Sequence, residues 1–198
     1  MTMIAVLGNG RVGGSLASAL TRAGHEVTVA DRSPGSAVEA ARTARIVINA
    51  TPGAGSLERL GALREELRGK ILVDVSNATV DGPDGLPAGL LHPGSSLAEK
   101  LQEALPGTRV VKTLNTMLYT VMTAPATLAR TPTVFLSGED PEAKQVVRGL
   151  LADLGWQQEW ITDLGGIESA RATEAAVLFV PHVIRSSGFA PFAISVAR

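Results

Sequence analysis

Ile4-Ala5-Val6-Leu7-Gly8-Asn9-Gly10-Arg11-Val12-Gly13-Gly14 decides the fold: an apolar run breaks into glycines and resumes as Ser15-Leu16-Ala17-Ser18-Ala19-Leu20. The order reads as strand, tight turn and helix. Gly8, Gly10 and Gly13 have the GxGxxG spacing, in which the first glycine turns the chain, the second admits a pyrophosphate and the third lets helix pack on strand. The helix start then offers free backbone N–H groups and a positive dipole end to phosphates. Any glycine-rich turn can match this spacing. Here it follows a β-type run, precedes a helical one and is followed about 20 residues on by the acidic Asp31, which is the context of a dinucleotide site.

Working outward, Gly24 stops the first helix and His25-Glu26-Val27-Thr28-Val29-Ala30 forms a second strand. Asp31-Arg32-Ser33-Pro34 closes that strand at the carboxyl edge, where an adenosine ribose would lie. A short helix from Ser36 to Arg42 leads to a third strand, Arg45 to Ala50, ended by Thr51-Pro52-Gly53. A helix from Leu57 to about Leu67 precedes a fourth strand, Lys70 to Val75. Ala78 to Pro93 then reads as one long Gly/Pro loop, of a length expected of a lid or binding loop. Ser96 and Glu99 have capping-box spacing for a helix through Leu105. Strand five, Arg109 to Leu114, delivers Asn115-Thr116-Met117 to the carboxyl edge. Strand six is Thr133 to Gly138, Pro141 opens a helix to Asp153, and Trp156 to Ile161 reads as a last short strand. Beyond Gly166 a helical pattern through Glu174 and Leu178 is interrupted by Pro181 and ends in an apolar tail with Phe189, Pro191 and Phe192. This β-α-β alternation implies an α/β, doubly wound, mostly parallel sheet of the NAD(P)-binding Rossmann kind. Residues 1–198 form one domain, with 167–198 as a short helical and apolar C-terminal extension.

The totals narrow the classes of partner. A chain of 198 residues suits one domain, and a net charge of -1 gives no electrostatic reason to expect nucleic acid or an anionic membrane. The chain has no cysteine, which excludes disulfides, thiolate metal sites and thiol nucleophiles. No charged leader precedes the first strand and no apolar run reaches membrane-spanning length, so a soluble, cytoplasmic protein is expected. The apolar C-terminal end calls for a cover, and a homodimer is expected to supply it.

In its glycine loop, in Ala50-Thr51-Pro52, in Val110-Val111-Lys112-Thr113-Leu114-Asn115-Thr116, in Phe135-Leu136-Ser137-Gly138-Glu139-Asp140 and in Ala170-Arg171 with Glu174, the chain resembles the NADP oxidoreductases that work with the deazaflavin coenzyme F-420 (F420). The resemblance runs from about Ile4 to Phe179, in order. It implies that Gly8, Asn9, Gly10, Arg11, Val12 and Gly13 hold the pyrophosphate and that Ala50, Thr51 and Pro52 border the nicotinamide ribose. Arg32 and Ser33 would lie near the adenosine 2′ position, and Ser76, Asn77, Asn115 and Thr116 would border the reacting rings. Relatives that bind NADP typically carry a small or uncharged residue in place of Asp31. A carboxylate there suits a free 2′-hydroxyl, whereas Arg32 suits a 2′-phosphate, and with the resemblance NADP(H) is favoured over NAD(H).

No histidine–carboxylate set or metal cluster stands out, and no residue is assigned as catalytic. Hydride exchange between two cofactor rings needs mainly approach and orientation, whereas oxidation of an alcohol needs a proton-handling residue beside the carbinol. The expected activity is hydride transfer between NADP(H) and F420 or a flavin-like acceptor, with the long loop helping to enclose the second ring. A cofactor-binding sensor without turnover, an NADPH:flavin or ferric reductase and a small-molecule dehydrogenase or imine reductase remain open. The dehydrogenase reading suffers because roughly thirty residues after Gly166 are too few to build a substrate domain. Lys112, at the end of a buried strand, contacts cofactor or a carboxylate, or else its head emerges at the sheet edge. Glu168, Arg171 and Glu174 are read as an ion-paired helix face, His25 as a turn residue, His92 as an exposed loop residue, His182 as packed or interfacial, and Trp156 and Trp160 as core.

Overall fold

The computed structural model describes residues 1–197. A seven-stranded sheet has the order β2-β1-β3-β4-β7-β8-β9. Its strands are β1 (Met3–Leu7), β2 (Glu26–Ala30), β3 (Ile46–Asn49), β4 (Ile71–Asp74), β7 (Arg109–Thr113), β8 (Val134–Ser137) and β9 (Ile161–Asp163). The first five are parallel; β8 pairs antiparallel with β7, and β9 runs parallel to β8. The order reverses between β1 and β3, which sets a crevice at the carboxyl edge beside Gly8 and Ala50. Because β8 is reversed, Phe135 to Asp140 lead to the opposite edge, away from that crevice.

Helices cover both faces, as buried parallel strands require. Ile4, Val6, Ile46, Ile48, Ile71, Val73 and Val111 point to one face, packed by α1 (Arg11–Arg22) and α7 (Pro141–Asp153). Ala5, Leu7, Val47, Leu72 and Val110 point to the other, under α2 (Ser36–Thr43), α3 (Ser56–Gly61), α4 (Arg64–Leu67), α5 (Leu97–Ala104) and α8 (Ala170–Ala175). The Ser96 cap and the Pro141 helix start follow the sequence: the Ser96 hydroxyl accepts from Glu99 N–H at 3.1 Å, and ahead of Pro141 the structure adds a cap at Asp140, which accepts from Ala143 N–H at 2.8 Å.

Four local readings change. The helix expected over 57–67 is two helices, because the chain kinks after Gly61, a poor helix former; the kink still buries Leu60, Leu63 and Leu67. The long loop carries a hairpin of its own, β5 (Thr79–Asp81) and β6 (Pro87–Leu90), turned at Pro83-Asp84-Gly85, where Gly85 has φ +71°. The last strand starts at Ile161 rather than Trp156: Trp156 is buried with its indole N–H donating to Met122 O at 3.0 Å, and the polar run after it winds into a 3-10 turn. The break expected at Pro181 lies just ahead of it: α8 gives way to a 3-10 turn at 176–178, and Pro181 sits in the first turn of α9 (Phe179–Ser187).

Candidate functional site

Every residue assigned to the site from sequence lies at the carboxyl edge of β1, β2, β3, β4 or β7, in a loop or, for Arg11, Val12 and Gly13, in the first turn of α1. The glycine loop is built as its spacing requires. Gly8 has φ +106°, and a side chain there would stand 2.7 Å from the Ala50 carbonyl oxygen. A methyl on Gly13 would collide with the Gly8 carbonyl, lying 2.9 Å from its carbon. Gly10 differs: a methyl there meets no protein atom within 4 Å, so what its bare Cα leaves open is space outside the chain.

Helix α1 starts at Gly10 with no side-chain cap and no acidic residue in its first turn. Its first hydrogen bond is Gly14 N–H to Gly10 O at 2.8 Å, so the N–H groups of Arg11, Val12 and Gly13 project from a positive helix end. The Arg11 guanidinium lies 5.6 Å from the centre of the Tyr119 ring, a residue of α6 (Tyr119–Met122). This uncapped, cationic end suits a pyrophosphate.

At the end of β2, Asp31, Arg32 and Ser33 are exposed. The Ser33 N–H donates to Asp31 Oδ1 at 2.8 Å, and this bond is the first cause holding the Asp31 carboxyl below its ordinary value. Asp31 thus shapes the turn that carries Arg32.

At the end of β3, Asn49 Oδ1 accepts from the Thr51 N–H at 3.2 Å and from the Thr51 hydroxyl at 2.6 Å. The Ser56 hydroxyl donates to Pro52 O at 3.1 Å. The β4 and β7 loops are tied by a reciprocal amide pair: Asn77 Nδ2 donates to Asn115 O, and Asn115 Nδ2 to Asn77 Oδ1, each at 2.9 Å. Leu114, just before Asn115, has φ +62°, a left-handed conformation that a leucine adopts only where its surroundings impose it. The C-terminal tail holds the same loop from outside. Ile194 N–H donates to Thr116 O at 3.2 Å and Leu118 N–H to Phe192 O at 3.0 Å.

Of the readings open for Lys112, the carboxylate contact holds. Lys112 is 1% exposed, and its Nζ lies 2.8 Å from both Asp74 Oδ2 and Glu174 Oε1. Burial acts to lower its pKa, but the two carboxylates outweigh it and hold it above the ordinary lysine value. Lys112 is therefore consumed inside the protein. The ion-paired face expected of Glu168, Arg171 and Glu174 is also corrected: Arg171 makes a fork to Glu99 on α5, while Glu174 is 3% exposed and reaches Lys112. His25 bonds Asp153 at 2.9 Å, His92 is half-buried rather than exposed, and His182 is exposed on α9 rather than packed. Trp160 is half-buried, edge-on to Trp156. Sequence reasoning passed over Asn49 and Asp74, although each is the polar residue that ends an otherwise apolar strand.

The residues at the carboxyl edge of β3, β4 and β7 carry hydroxyls and amides: Thr51, Ser76, Asn77, Asn115 and Thr116. Among the described residues no group of three His, Asp or Glu side chains could hold a metal ion. Among them, too, no helix is long and apolar enough to cross a membrane.

Comparison with known proteins agrees with this geometry. Residues 3–58 match the family described as NADP oxidoreductase, coenzyme F420-dependent. The crystal structure of a candidate F420-dependent NADP-reductase from Arthrobacter sp. FB24 is 37% identical, with a TM-score of 0.91 and all of both chains covered. The F420-dependent NADP reductase of Methanocaldococcus jannaschii is 30% identical over 140 residues, 69% of this chain and 60% of that one. The metalloreductase STEAP3 of Rattus norvegicus is 30% identical over 188 residues, 88% of this chain and 36% of that one. The chain thus spans less than two thirds of either of these two relatives. With likeness over its whole length to the Arthrobacter structure and the family match across the glycine loop, the chain belongs to the coenzyme F420-dependent NADP oxidoreductase family.

Proposed function

We propose that the protein is an oxidoreductase that binds NADP(H) across the crevice between β1 and β3 and exchanges a hydride with F420. The observation that carries this reading is the pairing of an uncapped, cationic helix start at Gly10 with a neighbouring carboxyl edge of β3, β4 and β7 lined by amides and hydroxyls. The N–H groups of Arg11, Val12 and Gly13 would hold the pyrophosphate, with Gly8 and Asn9 completing the loop. Arg32 and Ser33, on the turn shaped by Asp31, would meet the 2′-phosphate and favour NADP(H) over NAD(H). Ala50, Thr51 and Pro52 would border the nicotinamide ribose. Ser76, Asn77, Asn115 and Thr116 would orient the ring and keep water off its reactive face. Bound there, the dinucleotide supplies the hydride; the residues of this chain supply approach and orientation. The hairpin β5–β6 would cover the second ring.

The whole chain, 1–198, acts as one domain in this reading, in the cytoplasm and as a homodimer. Phe179 and Phe189, 63% and 69% exposed, are the surfaces a second copy would cover. Sedimentation should then give a dimer, and Phe179→Asp a monomer; a concentration-independent wild-type monomer would remove this part of the reading.

A second acceptor, a metal such as a ferric chelate, has support from the likeness to the metalloreductase STEAP3 over 88% of this chain, and a flavin is the alternative organic acceptor. One experiment separates the two. The purified protein is mixed with NADPH or NADH and, separately, with F420, FMN or a ferric chelate, and nicotinamide oxidation is followed. Oxidation with F420 supports the first reading. Oxidation with only FMN or iron replaces it with the second, and binding without turnover on any acceptor refutes both.

A further inference from the structure

Three adjacent strands place a polar residue at the same register, Asn49 opposite Asp74 and Asp74 opposite Lys112. All three are 1% exposed or less. Such a trio is no aid to stability in itself, since apolar residues of the same volume avoid the desolvation of buried charge. Its bonds run in one direction. Glu174 of α8 accepts the Leu97 and Ala98 N–H groups at the start of α5 at 2.9 and 3.2 Å and pairs with Lys112. Lys112 in turn pairs with Asp74, and Asp74 Oδ1 accepts from Asn49 Nδ2 at 2.8 Å.

An ionised carboxylate can only accept, so Asp74 dictates which way the Asn49 amide faces. With Nδ2 turned to Asp74, Asn49 Oδ1 is left to accept both the N–H and the hydroxyl of Thr51. Asn49 Nδ2 also lies 3.1 Å from Ser56 Oγ, whose hydroxyl holds Pro52 O. A flipped amide would set donor against donor at Thr51 and acceptor against acceptor at Asp74.

We infer that Asn49 is a positioning residue for the Thr51–Pro52 wall of the site, and that Asp74, Lys112 and Glu174 fix its amide. A carboxylate on the C-terminal extension thereby acts on the nicotinamide end of the site without touching a ligand. The inference rests on the assignment of Ala50, Thr51 and Pro52 to the nicotinamide ribose.

The test compares two ligands by calorimetry, NADPH and adenosine 2′,5′-bisphosphate, which shares the adenine end of NADPH and lacks its nicotinamide half. Asn49→Leu should weaken NADPH by about tenfold, the worth of one or two lost hydrogen bonds, and leave adenosine 2′,5′-bisphosphate unchanged. Glu174→Gln, remote from either ligand, should move NADPH alone in the same direction. Should Asn49→Leu fail to fold, Ser56→Ala, which frees Pro52 without burying a new apolar group, should give the same selective loss. General destabilisation would weaken both ligands alike, so equal losses, or none for NADPH, overturn the inference. A wild-type protein that binds both ligands while the variants show no selectivity refutes the role of Asn49 alone. A wild type that binds neither ligand refutes the dinucleotide reading, and the inference with it.

Discussion

One methyl group placed at Gly10 or at Gly13 should have opposite effects on stability and binding. At Gly13 the methyl would lie 2.9 Å from the Gly8 carbonyl carbon, against backbone that cannot rotate away. Relief requires α1 to lift from β1, loosening Leu16 and Leu20, which are 1% and 0% exposed. Burial of such a side chain is worth about 1.5–3 kcal/mol, so Gly13→Ala should cost about 3 kcal/mol or more. In a chain of this size that lowers Tm by about 6–12 °C. At Gly10 the methyl meets no protein atom within 4 Å, and the backbone there, at φ −73° and ψ −168°, suits any residue. Gly10→Ala should therefore change stability by about 1 kcal/mol at most. Yet the methyl would stand where the pyrophosphate must approach the N–H groups of α1. Losing two charge-assisted hydrogen bonds of about 1.4 kcal/mol each weakens binding by about 100-fold. Thermal unfolding and fluorescence titration with NADPH measure both quantities on the same samples. A Gly10→Ala protein that binds NADPH like wild type, or a Gly13→Ala protein with an unchanged Tm, would refute the assignment of the loop.

Three further outcomes follow from named groups. Asp31→Ser should strengthen NADPH and weaken NADH, and Arg32→Ala should weaken NADPH more than NADH; an unchanged ratio in both would mean that the 2′ position lies elsewhere. The Arg171 guanidinium is the first cause holding the Glu99 carboxyl below its ordinary 4.5, and the Ser96 hydroxyl adds to it. That stabilisation is present above pH 4.5 and is lost as pH falls through the depressed value, so Tm should drop more steeply in acid for wild type than for Glu99→Gln. Lys112, raised above its ordinary 10.5 because Asp74 and Glu174 outweigh burial, contributes stability that is present below that pH and lost as pH rises through the raised value. Unfolding of wild type at high pH should show that slope and Lys112→Met should lack it; equal slopes would mean that the ammonium is not buried between the carboxylates.

What could be read from sequence followed from short-range rules, and what could not depended on distant partners. The glycine loop, the cap at Ser96 and the Pro141 helix start are local statements, because each is decided by atoms within about four residues. The hairpin β5–β6 was equally local, since Pro83-Asp84-Gly85 is a turn signal between two short extended runs, but the number of glycines and prolines around it hid the strands. Lys112 is the contrary case. Its strand position predicted burial, and the choice between a ligand, a carboxylate and an exposed head depended on Asp74, 38 residues away, and on Glu174 in the C-terminal extension. Helical spacing placed Glu174 beside Arg171 and suggested a solvated face, whereas the docking of α8 against the start of α5 buries it.

The sequence signal that does identify this network is the alternation within the strands. In Ile46–Asn49, Ile71–Asp74 and Arg109–Thr113 the residues directed to the α5 face are Val47 and Asn49, Leu72 and Asp74, Val110 and Lys112. Each pair is an apolar residue followed by a polar one, so one amide, one acid and one base fall in a row at the carboxyl edge. A sheet covered on both faces leaves such a row no access to water, and its charges must pair within the fold. Glu174 of α8, which packs on that face, brings a second carboxylate to Lys112, and this gives a residue beyond 166 the inferred role of fixing the Asn49 amide. Such a role explains why an ion pair lies under the crevice, where an apolar core would serve stability better.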